Sequence, residues 1–95
     1  MPPNKNAFIR YKYLDRLLSD HYHYYDIHDL PDKVNEMMEL DKLEMNVGQR
    51  QIEKDIAALQ VAPFSAPIKR FKFNGRRIIR YSKRSFSIFS EELSG

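Results

Sequence analysis

The stretch that most limits what this chain can become is IKRFKFNGRRIIRYSKR, residues 68–84. Asn74-Gly75 at its centre is a strong short signal for a tight β-hairpin. It predicts a strand near 68–73, a two-residue turn, and a return strand near 76–81. A two-residue loop fixes the register: Phe71 pairs with Ile78 on one face and Arg70 with Ile79 on the other. The apolar alternation is not clean, as expected of a hairpin that lies only partly on a core. The stretch carries eight Lys or Arg (Lys69, Arg70, Lys72, Arg76, Arg77, Arg80, Lys83, Arg84) and no acid. A ribbon with that charge repels itself, so the charge calls for a partner.

The residues before the hairpin read as three helices. In NAFIRYKYLDRLLSD, Ala7, Tyr11, Leu14, Leu17 and Leu18 recur at helical spacing and predict an amphipathic helix over about 5–19. A second helix should start near Asp29, with Asp29 as N-cap, Pro31 in the first turn and Asp32 at the positive helix end. Leu30, Val34, Met37, Met38 and Leu40 form its expected apolar face, and it ends near Asp41. DKLEMN is then a connection. The third helix, GQRQIEKDIAALQ, spans roughly 48–60, with Ile52, Ile56 and Leu59 inward and Gly48 at the N-cap position. Pro63 and Pro67 bracket a turn. SFSIFSEELSG begins a further element with an imperfect capping box at Ser90 and Leu93. Three short helices burying a shared core, with the hairpin closing one side, give a mainly α fold: a winged helix-turn-helix.

The bulk numbers fit one small domain. The chain has 95 residues, 42% hydrophobic and 13% aromatic, enough for a core and unlike a disordered segment. It has no cysteine, which removes disulfides and Cys-type zinc fingers. No apolar run approaches the roughly 18 residues of a membrane span, and MPPNKNAF lacks the apolar run of a signal peptide. A cytoplasmic protein is the expectation. The net charge of +3 hides an asymmetry: residues 1–55 carry 8 basic and 11 acidic side chains, while 56–90 carry 8 basic and none acidic. Segregation of this kind suggests one basic surface.

Two groups of residues match a duplex. With Ile52 and Ile56 inward, Arg50, Gln51 and Lys54 point away from the core and Gln49 sits in the first turn. The second helix of a helix-turn-helix enters the major groove with its N-terminal residues at base edges. There Arg suits guanine and Gln suits adenine through paired hydrogen bonds. The wing adds Lys69, Arg70, Lys72, Arg76, Arg77 and Arg80 for phosphate neutralisation, and Arg76 or Arg77 at its tip suits a narrow minor groove. Five of the eight basic residues are Arg, the better phosphate fork. Each group has a plain alternative: solvated helix residues for the first, a charged edge that prevents aggregation for the second. It is their combination that favours DNA.

Other chemistry has little support. DHYHYYDIHD holds His21, His23 and His28 with Asp20, Asp26 and Asp29, but no clear fourth ligand, so the expectation is packing between helices 1 and 2 or a phosphate contact, with no metal and no cofactor. There is no Cys nucleophile and no Gly-rich phosphate loop, and no enzyme is expected. A protein-docking module is the alternative: Phe8, Tyr22, Tyr24 and Tyr25 would form an aromatic patch and the wing would meet an acidic partner.

The pieces AFIRYKYLDRLL, YDIHDLPDKVNE, VGQRQIEKDIAAL and the wing followed by SFSIF resemble the N-terminal DNA-binding domain of bacterial WYL-domain transcriptional regulators, with a DeoR-like winged helix-turn-helix. The recognition pattern of that family is a hydroxyl cap, polar or basic residues, an apolar residue, a basic residue, Asp and an apolar residue. Here it falls on Gly48, Gln49, Arg50, Gln51, Ile52, Lys54, Asp55 and Ile56, with Gly48 in place of the hydroxyl. The resemblance implies double-stranded DNA as partner. It also implies a following WYL domain that takes an effector and promotes oligomerisation, hence a homodimer of the full-length protein. On that reading residues 1–90 are the DNA-binding domain and 91–95 the start of a linker to an absent C-terminal domain.

Overall fold

Helical periodicity builds the core. The computed structural model describes residues 5–89 and contains α1 (Lys5–Leu18), α2 (Asp29–Leu40), α3 (Gln49–Leu59), β1 (Ile68–Phe73) and β2 (Arg76–Tyr81). Ala7, Tyr11, Leu14, Leu17 and Leu18 of α1 meet Leu30, Val34 and Met38 of α2 and Ile52, Ile56 and Leu59 of α3 in one cluster. Burying each large apolar side chain is worth roughly 1.5–3 kcal/mol, more than any surface ion pair of this domain can supply. Leu40, expected on the inner face of α2, is 81% exposed. It is the last residue of the helix, where the inward stripe has already turned away from α1 and α3.

The start of α2 differs from the expected cap. His28 is the N-cap and makes no side-chain cap bond. The capping carboxylate is Asp26, whose Oδ1 accepts from the backbone N–H of His28 and of Asp29, both at 2.9 Å. Asp29 stands just inside the helix, and its own carboxylate accepts from the Asp26 N–H.

The connection between α2 and α3 is pinned. Val47 is buried. The side chain of Asn35 in α2 donates to the Val47 carbonyl and accepts from its N–H, each at 2.9 Å. This amide clasp determines where α3 begins.

The hairpin has the expected register, with Phe71 opposite Ile78 and Arg70 opposite Ile79. Asn74 and Gly75 both have positive φ, 53° and 76°, the backbone of a type I′ turn. The far edge of β2 is paired as well: the Ile79 N–H donates to the Tyr25 carbonyl at 3.0 Å, and Asp26 bridges to Ile78. Ile78 and Ile79, on opposite faces, are therefore both buried. Ile79 and Tyr81 join the helical core, while Ile78 is buried outside it. Coverage of both faces explains the unclean alternation in the sequence.

After β2 the chain returns to α1. The buried Asp15 carboxylate accepts from the Tyr81 hydroxyl (2.6 Å), the Ser87 hydroxyl (2.6 Å) and the Ile88 N–H (2.9 Å). Burial, then the hydrogen bond to Asp15, pushes the Tyr81 phenol well above its ordinary range. The cap expected at Ser90 and Leu93 lies outside the described residues. Three helices and a two-stranded antiparallel hairpin in this order are a winged helix fold. No helix among the described residues is long and apolar enough to cross a membrane.

Candidate nucleic-acid interface

The leading end of α3 is open. Gly48, the N-cap, has extended backbone, offers no side-chain bond to the helix, and has open space where a Cβ would stand. With Ile52, Ile56 and Leu59 inward, Gln49, Arg50, Glu53, Lys54 and Ala57 are exposed. Arg50 and Lys54 form no hydrogen bond or ion pair among the described residues. Gln51 sits differently from the outward position the sequence suggested. It is half-buried, and its Nε2 donates to Asp55 Oδ1 at 3.0 Å.

Asp55 explains that position. It lies on the inner face of α3 between Ile52 and Ile56 and is 2% exposed. A carboxylate there needs a charged partner. Arg10 of α1 supplies one as a fork, Nε to Oδ2 at 2.6 Å and Nη2 to Oδ1 at 3.1 Å. The bond to Asp55 also raises the Arg10 guanidinium pKa further. The clamp fixes how α3 is rolled against α1, and so which residues it presents. Sequence reasoning placed Asp55 in the recognition pattern without a role. The available signal was an acid at a position that helical spacing puts in the core.

The six wing residues named from sequence fall into three settings. Alternation puts Arg70, Lys72 and Arg77 on the face of the hairpin that carries Ile79 and Tyr81. All three are exposed and have no hydrogen bond or ion pair among the described residues. On the opposite face, Lys69 is exposed with its Nζ 5.3 Å from the Phe71 ring, and Arg80 is enclosed by rings. The Arg80 guanidinium lies 4.8 Å from the Phe71 centroid and 5.2 Å from that of Tyr24. Its buried Nε and Nη1 have no hydrogen-bond partner among the described residues, and ring faces cover the guanidinium instead. Tyr24 in turn stacks on Phe73 at 4.2 Å.

Arg76 is the third setting. Its guanidinium pairs with Asp29 (3.2 Å) and Asp26 (3.8 Å) and donates to the Tyr24 carbonyl. It staples the hairpin to the start of α2. Burial alone would raise the Asp26 carboxyl pKa, but the N–H groups of Asp29 and His28 and the Arg76 charge outweigh it and hold the pKa below its ordinary value.

Between α3 and the wing lies a cleft of about 390 Å³ lined by Ile27, Glu53, Ile56, Arg70, Arg77 and Ile79. It brings the partnerless wing arginines beside the exposed side of α3. Lys72, on the same wing face, extends that surface. Glu53, unmarked in the sequence reading, is the acid at this junction.

The histidine-rich loop is a packing element. The ring nitrogens of His21 lie 3.1 and 3.0 Å from the carbonyl oxygens of Ser19 and Tyr81. His23 meets Asp20 at 2.6 Å and stacks on Tyr25. Among the described residues no three His, Cys, Asp or Glu are grouped to hold a metal. The four candidate docking aromatics have different neighbours. Phe8 borders a groove with Phe64, Phe86 and Phe89, Tyr22 is 90% exposed on the loop, Tyr25 stacks on His23, and Tyr24 packs against Phe71 and Phe73 of the wing.

Fold and site together define a winged helix domain whose third helix and wing each carry exposed cations and meet at one cleft. The chain belongs to the family of N-terminal winged helix domains of WYL domain-containing proteins, whose family model matches residues 6–74, from α1 through the hairpin turn. Neither the curated proteins nor the solved structures gave a match.

Proposed function

We propose that this chain binds double-stranded DNA in a sequence-specific manner, as the reader domain of a bacterial transcriptional regulator. The observation that carries the reading is a set of exposed cations with no hydrogen-bond or ion-pair partner among the described residues: Arg50 and Lys54 on α3, and Arg70, Lys72 and Arg77 on one wing face, of which Arg70 and Arg77 share a cleft with α3. Folding leaves these charges unused, and a polyanion uses them. The leading end of α3 enters the major groove, Arg50 pairs with a guanine edge, and Gln49 reads a neighbouring base. Lys54, Arg70, Lys72 and Arg77 hold phosphates, and Lys69 adds charge from the other wing face. Gln51 acts on DNA through the Asp55 clamp, and Arg76 and Arg80 act by fixing the wing. In the full-length regulator a WYL domain takes the effector and a homodimer spans paired half-sites. The docking alternative has weaker support, because Tyr24 and Tyr25 are stacked on Phe73 and His23 and Phe8 borders a different groove.

Fluorescence anisotropy of a labelled random-sequence duplex, titrated at several salt concentrations, tests the proposal. Binding that weakens steeply with salt supports it. Absence of binding at low salt, both for this chain and for a covalently linked dimer of it, refutes it.

A further inference from the structure

Glu53 is the one exposed acid of α3, set between Arg50 and Lys54 on a surface otherwise suited to a polyanion. It lines the cleft with Arg70 and Arg77 yet forms an ion pair with neither within 4 Å, the charges being left apart. Its Oε2 instead accepts a hydrogen bond from Gln49 Nε2 at 3.3 Å, one helical turn back. The bond orients the Gln49 amide and leaves most of the carboxylate's accepting capacity unused.

On a duplex seated against α3, this carboxylate loses water and needs a donor to replace it. Guanine and thymine present acceptors along the major-groove edge at O6, N7 and O4, and these repel it. Adenine offers its N6 amino group beside an N7 acceptor. Cytosine presents the N4 amino donor alone. The geometry points to Glu53 as a residue that determines base preference: it selects cytosine at one operator position and, by repelling phosphates, holds down binding to unmatched DNA. This rests on the DNA-binding reading above.

The test compares the wild-type chain with Glu53→Gln. The substitution is isosteric and exposed, and a matching far-UV circular dichroism spectrum and melting point confirm that it folds. Both proteins are put through selection from a randomised duplex pool, and both are titrated with the random-sequence duplex. The expected result is a change of preferred base at one position from cytosine to adenine, which Gln matches with paired bonds. The discrimination exchanged is about 5-fold or more, and the variant binds the random duplex more tightly than wild type. If wild type binds DNA and the variant keeps both the same preferred base and the same random-duplex affinity, the assignment to Glu53 is overturned while the DNA reading stands. If neither the wild-type chain nor its covalently linked dimer binds duplex at low salt, both fall.

Discussion

Arg76 and Arg77 are neighbours in sequence and point to opposite faces of the wing, so exchanging each for Gln separates structural charge from binding charge. Arg77 has no hydrogen-bond or ion-pair partner among the described residues, whereas Arg76 is paired with Asp26 and Asp29. Each phosphate neutralised contributes about 0.9 to the slope of log affinity against log salt. If Lys54, Lys69, Arg70, Lys72 and Arg77 each neutralise one phosphate, the slope is about −4.5 and affinity falls about 500-fold between about 50 and 200 mM salt. Arg77→Gln should bring the slope to about −3.6 and the loss over that range to about 150-fold. Its melting temperature should hardly move. Arg76→Gln should do the reverse. Its slope stays near −4.5, within roughly half a unit. Losing a partly exposed pair and leaving Asp26 without its cation costs about 1 kcal/mol, or about 4–8 °C in a domain of this size. Anisotropy titrations at four salt concentrations and thermal circular dichroism on the same preparations read both quantities. If Arg76→Gln lowers the slope as much as Arg77→Gln and leaves the melting temperature unchanged, the division of the wing into a docked and an open face is wrong.

Asp55→Ala leaves the Arg10 fork without its carboxylate and should cost about 3 kcal/mol, the low end for a broken buried pair because Arg10 keeps some contact with water. Urea unfolding measures it, and a loss below about 0.5 kcal/mol would remove the clamp from the account. Asp26→Ala should cost about 1 kcal/mol at neutral pH through the lost cap. Because folding lowers the Asp26 pKa, the charged carboxylate's contribution is complete above the ordinary value of 3.8 and disappears as pH falls through the lower folded value. The stability difference between wild type and variant should therefore shrink in acid, and a constant difference down to pH about 2 would contradict the assignment. Tyr81 works in the opposite direction: its folded pKa is raised, so stability is complete below pH about 10 and declines above it. Tyr81→Phe should flatten that alkaline decline, read as unfolding free energy against pH. Gly48→Ser places a hydroxyl where the helix has no cap and space is open. It should add a few tenths of a kcal/mol of stability and strengthen binding to any duplex by a further phosphate contact.

Much of the fold was legible because it rests on local rules. Helical spacing in residues 7–18 and 52–59 named the core, and Asn74-Gly75 set the register of the hairpin to the residue. The exceptions come from contacts distant in sequence. Leu40 reads as apolar face until the packing of α2 shows where that face stops. Asp29 looks like a cap until Asp26 is seen to take the position. The site was legible by residue type and less so by setting. Arg50, Lys54, Arg70, Lys72 and Arg77 are exposed, with no hydrogen bond or ion pair among the described residues. Gln51, Arg76 and Arg80 carry the same chemistry but are engaged by Asp55, by Asp26 and Asp29, and by two aromatic rings. No spacing rule links Arg76 to acids some fifty residues earlier, and period-2 alternation cannot tell which face of a ribbon a loop will cover.

The sequence shows an acidic first half and a basic second half, which suggests two opposed surfaces, but folding uses several of those acids internally. Asp15 is buried beneath Tyr81 and Ser87, Asp55 is neutralised by Arg10, and Asp26 and Asp29 hold the start of α2 while pairing with Arg76. Each of these contacts also fixes an element that frames the cleft. The same carboxylates that hold α1, α2 and the wing in place are thereby withdrawn from the surface between α3 and the wing, and that withdrawal makes the surface cationic. Glu53 remains there, exposed and without a cation partner among the described residues. In a fold that has buried or paired the acids around it, the one left facing the proposed groove is best explained by what it would meet in that groove.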